Sequence, residues 1–147
     1  MGSTLYWYYV PYREDYNLAL KELREKEFEA GRYNPAILFP EFPPKAKTAS
    51  PGKQHASIFD ALDEAAEEGT RSILDLDTVS TVDDYGVARL LSDQDLQLYF
   101  NTNKPTRRDI DNSYNFFESI ERGKGHCIIV YKNNQPNELY FVGYSFD

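Results

Sequence analysis

Cys127-Ile128-Ile129-Val130-Tyr131 and Leu139-Tyr140-Phe141-Val142 flank the turn-rich stretch Asn133-Asn134-Gln135-Pro136-Asn137. Two β-branched and aromatic runs joined by turn formers predict a β-hairpin with a longer loop. At the other end of the chain, Leu5-Tyr6-Trp7-Tyr8-Tyr9-Val10 is apolar or aromatic on both faces and stops at Pro11, which predicts a core strand covered on both sides. Ser72 to Val79 alternates imperfectly, as a strand near a sheet edge does.

Between these runs the spacing is helical. From Asp15 to about Ala30, Tyr16, Ala19, Leu20 and Leu23 recur on one stripe while Lys21, Glu22, Glu25 and Lys26 face away, and Gly31 supplies a left-handed stop. Ser57-Ile58-Phe59-Asp60 is a capping-box-like start for a helix running to Glu68 and ended by Gly69. Ser92-Asp93-Gln94-Asp95 caps a short helix through Leu96, Tyr99 and Phe100. Thr106-Arg107-Arg108-Asp109 opens one further helix, with Ile110, Tyr114, Phe117 and Ile120 on a stripe, ending at Gly123. Residues 80–91 carry no decisive pattern. Helices interleaved with few strands and a terminal hairpin predict an α+β fold: an antiparallel or mixed sheet of about four strands, with helices packed mainly on one face.

The chain's 147 residues fit one domain, residues 1–147, large enough to stand without a disulfide or a metal. Residues 34–55 hold Pro35, Pro40, Pro43, Pro44 and Pro51, so this segment is expected to be a long loop or flap. Sixteen Lys and Arg against 24 Asp and Glu give a net charge of −8, which opposes general affinity for nucleic acid or anionic lipid and favours a basic or neutral protein partner. The single cysteine, Cys127, fits a reduced compartment. The start lacks a secretory pattern, Tyr6 stands where myristoylation needs Ser or Thr, and no apolar run reaches a membrane span. A cytoplasmic protein is expected.

Nucleophilic chemistry would have to come from Cys127 with a histidine. His126 and Cys127 are strand neighbours and point to opposite faces, and His55 reaches Cys127 only if the proline-rich loop crosses the hairpin. Cys127 is therefore expected to be a core residue. Metal-ligand spacings are absent, and Asp75-Leu76-Asp77 with Asp83-Asp84 reads as an exposed strand face, so neither metal nor cofactor is expected. Gly123-Lys124-Gly125-His126 lacks the spacing of a phosphate loop and reads as a turn. Lys104-Pro105-Thr106-Arg107-Arg108 places Arg107 and Arg108 in the first turn of a helix, where the macrodipole favours anions over cations. That local conflict points to a bound anion or an acidic partner surface, against a plainer reading in which both arginines are solvated or paired.

Gly31-Arg32-Tyr33-Asn34-Pro35 resembles, over these five residues, the Gly-Arg-aromatic-Asn-Pro stretch of RES-type toxins that consume NAD. The resemblance implies a site for an NAD-like substrate at Arg32.

Twelve Tyr, nine Phe and one Trp are more aromatics than a core of this size needs. If helices cover one sheet face, the other exposes Tyr6, Tyr8, Tyr131, Tyr140 and Tyr144, a surface suited to homo-oligomerisation. Two functions follow. The first is a non-enzymatic interaction module, self-associating or binding a basic or neutral protein in the manner of an inhibitor or immunity protein. The second is a site for a small anion or nucleotide, with or without enzymatic action, built from Arg32, Tyr33, His55, Arg107 and Arg108 with the strand tyrosines beneath the proline-rich loop.

Overall fold

The computed structural model describes residues 3–147; Met1 and Gly2, at which a lipidation pattern begins, lie outside the described residues. Five strands, β1 (Leu5–Pro11), β2 (Thr78–Ser80), β3 (Val87–Leu90), β4 (Gly125–Lys132) and β5 (Gln135–Tyr144), form one mixed sheet in the order β1-β5-β4-β3-β2. The antiparallel part is β1, β5 and β4, and β3 and β2 continue it in parallel. The α+β class and the C-terminal hairpin are as expected, with five strands in place of about four. The extra strand, β3, lies in the stretch 80–91 that carries no decisive pattern, because four residues are too few to set a period. Nor is the hairpin loop long. Asn133 and Asn134, at φ 53° and 61°, turn the chain alone, since asparagine tolerates the left-handed region that a two-residue hairpin turn requires.

Side chains alternate along each strand, and both faces are covered. On one face Tyr6, Tyr8, Cys127, Leu139 and Phe141 pack under α1 (Tyr16–Ala30), Ala61 of α2 (Ile58–Ala65) and the 3-10 turn Ile73–Asp75. On the other, Ile128, Val130, Tyr140 and Val142 pack under Phe100 of α3 (Asp93–Phe100), Ile110 of α4 (Arg107–Asp111) and Phe116 of α5 (Tyr114–Ser119). Helices on one face were expected, and the second layer has a simple origin. The crossover from β3 to β4 carries α3, α4 and α5, and a strand with apolar residues on both sides needs two covers.

Helix boundaries follow local chemistry. Gly31 takes φ 75° and its amide returns to Glu27 and Phe28 carbonyls, as expected of the stop to α1. The single helix expected from Thr106 to Gly123 is instead two: Asn112 and Ser113 interrupt it, and the Ser113 hydroxyl donates to the Tyr99 carbonyl at 2.6 Å. Such residues compete with the helix by bonding elsewhere. Of Ser72–Val79, expected to be a strand, Ile73–Asp75 forms the 3-10 turn, and the pairing strand is Thr78–Ser80.

Both sheet edges are occupied. β1, expected as a core strand covered on both sides, has both faces packed but stands at an edge of the sheet, where its aromatic side chains meet Phe42 of the proline-rich loop, with ring centroids 5.3 Å from Tyr8 and 5.8 Å from Trp7. At the far edge the Asn17 amide imitates a neighbouring strand: its Oδ1 accepts from Val79 N–H at 2.8 Å and its Nδ2 donates to the Val79 carbonyl at 3.2 Å. Asn17→Ala is expected to cost about 1–2 kcal/mol in urea unfolding and to produce concentration-dependent association, because it opens a strand edge. An unchanged midpoint would show that Val79 draws nothing from Asn17. No described helix is long and apolar enough to cross a membrane.

Candidate functional site

The proline-rich segment 34–55 forms no regular element and is held at several points. Gly52 N–H donates to the Ala30 carbonyl at 3.0 Å, so closely that a Cβ on Gly31 would strike the Gly52 carbonyl. Arg71 reaches Leu38 O at 2.6 Å and stacks on Phe39. Nearer the loop's end, the buried Tyr33 hydroxyl meets His55 Nδ1 at 2.7 Å, while His55 Nε2 meets Glu64 Oε2 at 2.6 Å. The carboxylate can only accept, which places a proton on His55 Nε2; in the neutral ring Nδ1 then accepts from the Tyr33 hydroxyl.

Beside this relay lies an ion pair that the sequence reading missed. Arg32 donates from Nε and Nη2 to the two oxygens of Glu27, at 2.8 and 2.7 Å, and from Nη1 to Ser50 Oγ at 2.5 Å. Glu27 is 1% exposed. Its position was legible: Tyr16, Leu20, Leu23 and Glu27 follow an i, i+4, i+7, i+11 stripe, so a carboxylate stands where the helix turns inward.

Glu27 lines a cleft of about 220 Å³ between α1, β1 and the loop. Its floor and walls are Tyr8, Tyr9, Val10, Leu23, Pro43 and Pro44, and its rim carries Lys26 and Arg107. Arg107 is held in place from two sides. Its guanidinium lies 3.9 Å from the centre of the Tyr9 ring, and it grips Glu138 through Nε and Nη2 at 2.7 and 2.5 Å. Beyond Arg107 opens a second cleft, of about 500 Å³, walled by Arg107, Arg108, Lys132 and Asn133 over Val130 and Tyr131. Arg108, Lys132 and Lys26 have no ion-pair partner among the described residues. The two linings together carry four cations, Lys26, Arg107, Arg108 and Lys132, against the carboxylates of Glu27 and Glu138.

No family model, curated protein or solved structure matches the chain. The likeness to RES-type toxins therefore rests on residues 31–35, and the fold gives these residues roles of their own. Gly31 closes α1, Arg32 neutralises Glu27, Tyr33 stacks on Phe28 and holds His55, and the Asn34 Nδ2 donates to the Gly69 carbonyl at 2.9 Å.

The remaining candidates fall elsewhere. Tyr33 and His55 pair with each other and Arg32 with Glu27, but none of the three lines either cleft; Arg32 meets the cleft beneath the loop only through its bonds to Glu27, and Arg107 and Arg108 are the expected ligand residues that line the clefts. Tyr6, Tyr8 and Tyr140, expected on an open sheet face, are at most 2% exposed because the chain's own helices and loop cover them; Tyr131 and Tyr144 are half-buried. Cys127 is buried, and burial pushes its thiol up to about 12. His126, on the opposite face, lines a small polar cleft with Arg89, Ser119 and Lys124, and burial with the Arg89 charge lowers its pKa to about 4. Asp75 is turned inward, accepting from Thr70 N and Oγ1 at 2.8 and 2.7 Å, not displayed on a strand face. Burial raises its pKa.

Proposed function

We propose that this protein binds a small anionic ligand at Arg107, where the cleft beneath the proline-rich loop meets the cleft beside the hairpin. One observation carries the reading: an oriented guanidinium, fixed by Tyr9 and Glu138, stands between two clefts whose other cations, Lys26 on one side and Arg108 and Lys132 on the other, have no carboxylate of their own among the described residues. On a chain of net charge −8 such a local reversal concentrates anions against the overall field. A guanidinium held in one orientation loses little freedom on binding, and with its Nε–Nη2 edge given to Glu138 it has the Nη1–Nη2 edge left for a carboxylate or phosphate oxygen. Binding, without turnover, is the activity assigned.

Calorimetric titration with inorganic pyrophosphate at low salt is expected to give saturable binding that weakens as salt rises. Arg107→Ala is expected to weaken it at least tenfold, about 1.4 kcal/mol. Pyrophosphate that produces no saturable heat with the intact protein would sink the proposal.

A second reading, a self-associating interaction module, draws on another surface. Tyr114 is 71% exposed and, with Phe117, Ile120 and Tyr144, lines an open depression on the α5 side. Exposed aromatics of this kind are enriched at protein interfaces. A native-mass dimer that Tyr114→Glu converts to monomer supports this reading, and a monomer at all concentrations removes it.

A further inference from the structure

Resting on the anion-site reading, we infer that the ligand of the cleft beneath the proline-rich loop is a phosphorylated sugar, its phosphate at Lys26 and Arg107 and its hydroxyls on the carboxylate of Glu27. The rim and the depth of this cleft offer different chemistry. At the rim are the two cations. In its depth is Glu27, buried and yet part of the lining.

A buried carboxylate has about four acceptor positions, two on each oxygen. Arg32 fills one on each, and no other donor reaches Glu27 among the described residues. The spare positions can accept from a hydrogen-bond donor of the ligand. Arg32 already neutralises the charge of Glu27 with two parallel bonds, so the carboxylate gains little from a second full positive charge, and a neutral donor suits it best. Leu23, Val10, Pro43 and Pro44 leave the walls apolar and place the polar demand at the two ends. A ligand with an anion at one end and neutral hydroxyls at the other satisfies both. At about 220 Å³ the space suits a pentose or hexose phosphate, and an attached base would have to extend past Arg107 toward the neighbouring cleft, away from Glu27.

Arg32 is a positioning residue in this account. Its bonds to Glu27 and Ser50 fix the carboxylate against the loop that roofs the cleft.

The test compares ribose 5-phosphate, inorganic phosphate and uridine monophosphate by calorimetry on the intact protein and on Glu27→Gln. The intact protein is expected to bind ribose 5-phosphate at least tenfold more tightly than inorganic phosphate, and more tightly than uridine monophosphate. Glu27→Gln is expected to cut the preference over phosphate below threefold while phosphate itself binds as well or better. Should that variant fail to fold, Glu27→Gln with Arg32→Met keeps the pocket free of an unpaired cation and is expected to show the same loss. Equal affinity for ribose 5-phosphate and inorganic phosphate, both lost in Arg107→Ala, overturns the sugar inference and leaves the anion site standing. Tighter binding of uridine monophosphate, or an unaltered preference in Glu27→Gln, also overturns it. If no phosphate compound binds the intact protein, both readings fall together.

Discussion

Tyr140→Glu is expected to unfold the protein or to lower its stability by about 4–5 kcal/mol or more. Tyr140 is 2% exposed, its ring centroid lies 4.7 Å from that of Tyr9, and it shares its layer with Ile128, Val142, Ile110 and Phe116. Glutamate would remove the aromatic contacts and place an unpaired carboxylate in their stead. A domain's stability is only about 5–15 kcal/mol, so little would remain. Tyr140→Phe keeps the ring and is expected to cost under about 1 kcal/mol. Urea unfolding of the two variants separates this account from an open sheet face, on which the glutamate would be soluble, folded and harmful only to assembly. A folded, cooperative Tyr140→Glu protein would show that the second helical layer does not seal the sheet.

Arg32→Ala carries the second large effect, about 3–5 kcal/mol of lost stability, because it leaves the Glu27 charge buried without its counter-ion. The pair itself contributes less than this figure. Removing one partner strands the other, whereas replacing both removes the desolvation cost along with the attraction. Arg32→Met with Glu27→Gln is therefore expected to recover most of the loss, and the double-mutant cycle in urea isolates the coupling. If Arg32→Ala unfolds at the wild-type midpoint, the ion pair is not the fixed element that positions Glu27 in the cleft.

The sequence announces the elements with the strongest periodicity and hides those that depend on tertiary partners. The hairpin, β1, α1 and the cap of α3 are legible because alternation, an apolar stripe and Ser92 with Asp95 state them locally. β3 is hidden because its pairing with β2 and β4, not its own four residues, makes it a strand. The break between α4 and α5 is hidden because the apolar stripe runs on through Asn112 and Ser113, whose bonding to Tyr99 O is known only once α3 is in place. Period-two aromatics on β1 signal two covered faces, yet the twelve tyrosines invite the opposite conclusion of a bare one. Burial resolves the contradiction: much of the surplus fills two cores, one on each side of the sheet.

Site residues divide in the same way. Arg107 and Arg108 stand out because cations at that position conflict with local preference, and the structure answers the conflict by carrying Arg107 away to Glu138 and Tyr9. Lys26 and Glu27 join Arg107 in one lining only through the packing of α1 against the sheet, and Pro43 and Pro44 only through the docking of the loop. No spacing along the chain reports that contact.

The most direct test of the central claim, that the ligand site lies where Arg107 meets the cleft beneath the proline-rich loop, is amide chemical-shift mapping during titration with inorganic pyrophosphate. The account predicts that the largest shifts fall at Tyr9, Lys26, Glu27, Arg107 and Arg108. Shifts confined to the α5 side around Tyr114, or spread evenly over surface lysines with no saturation, would contradict it.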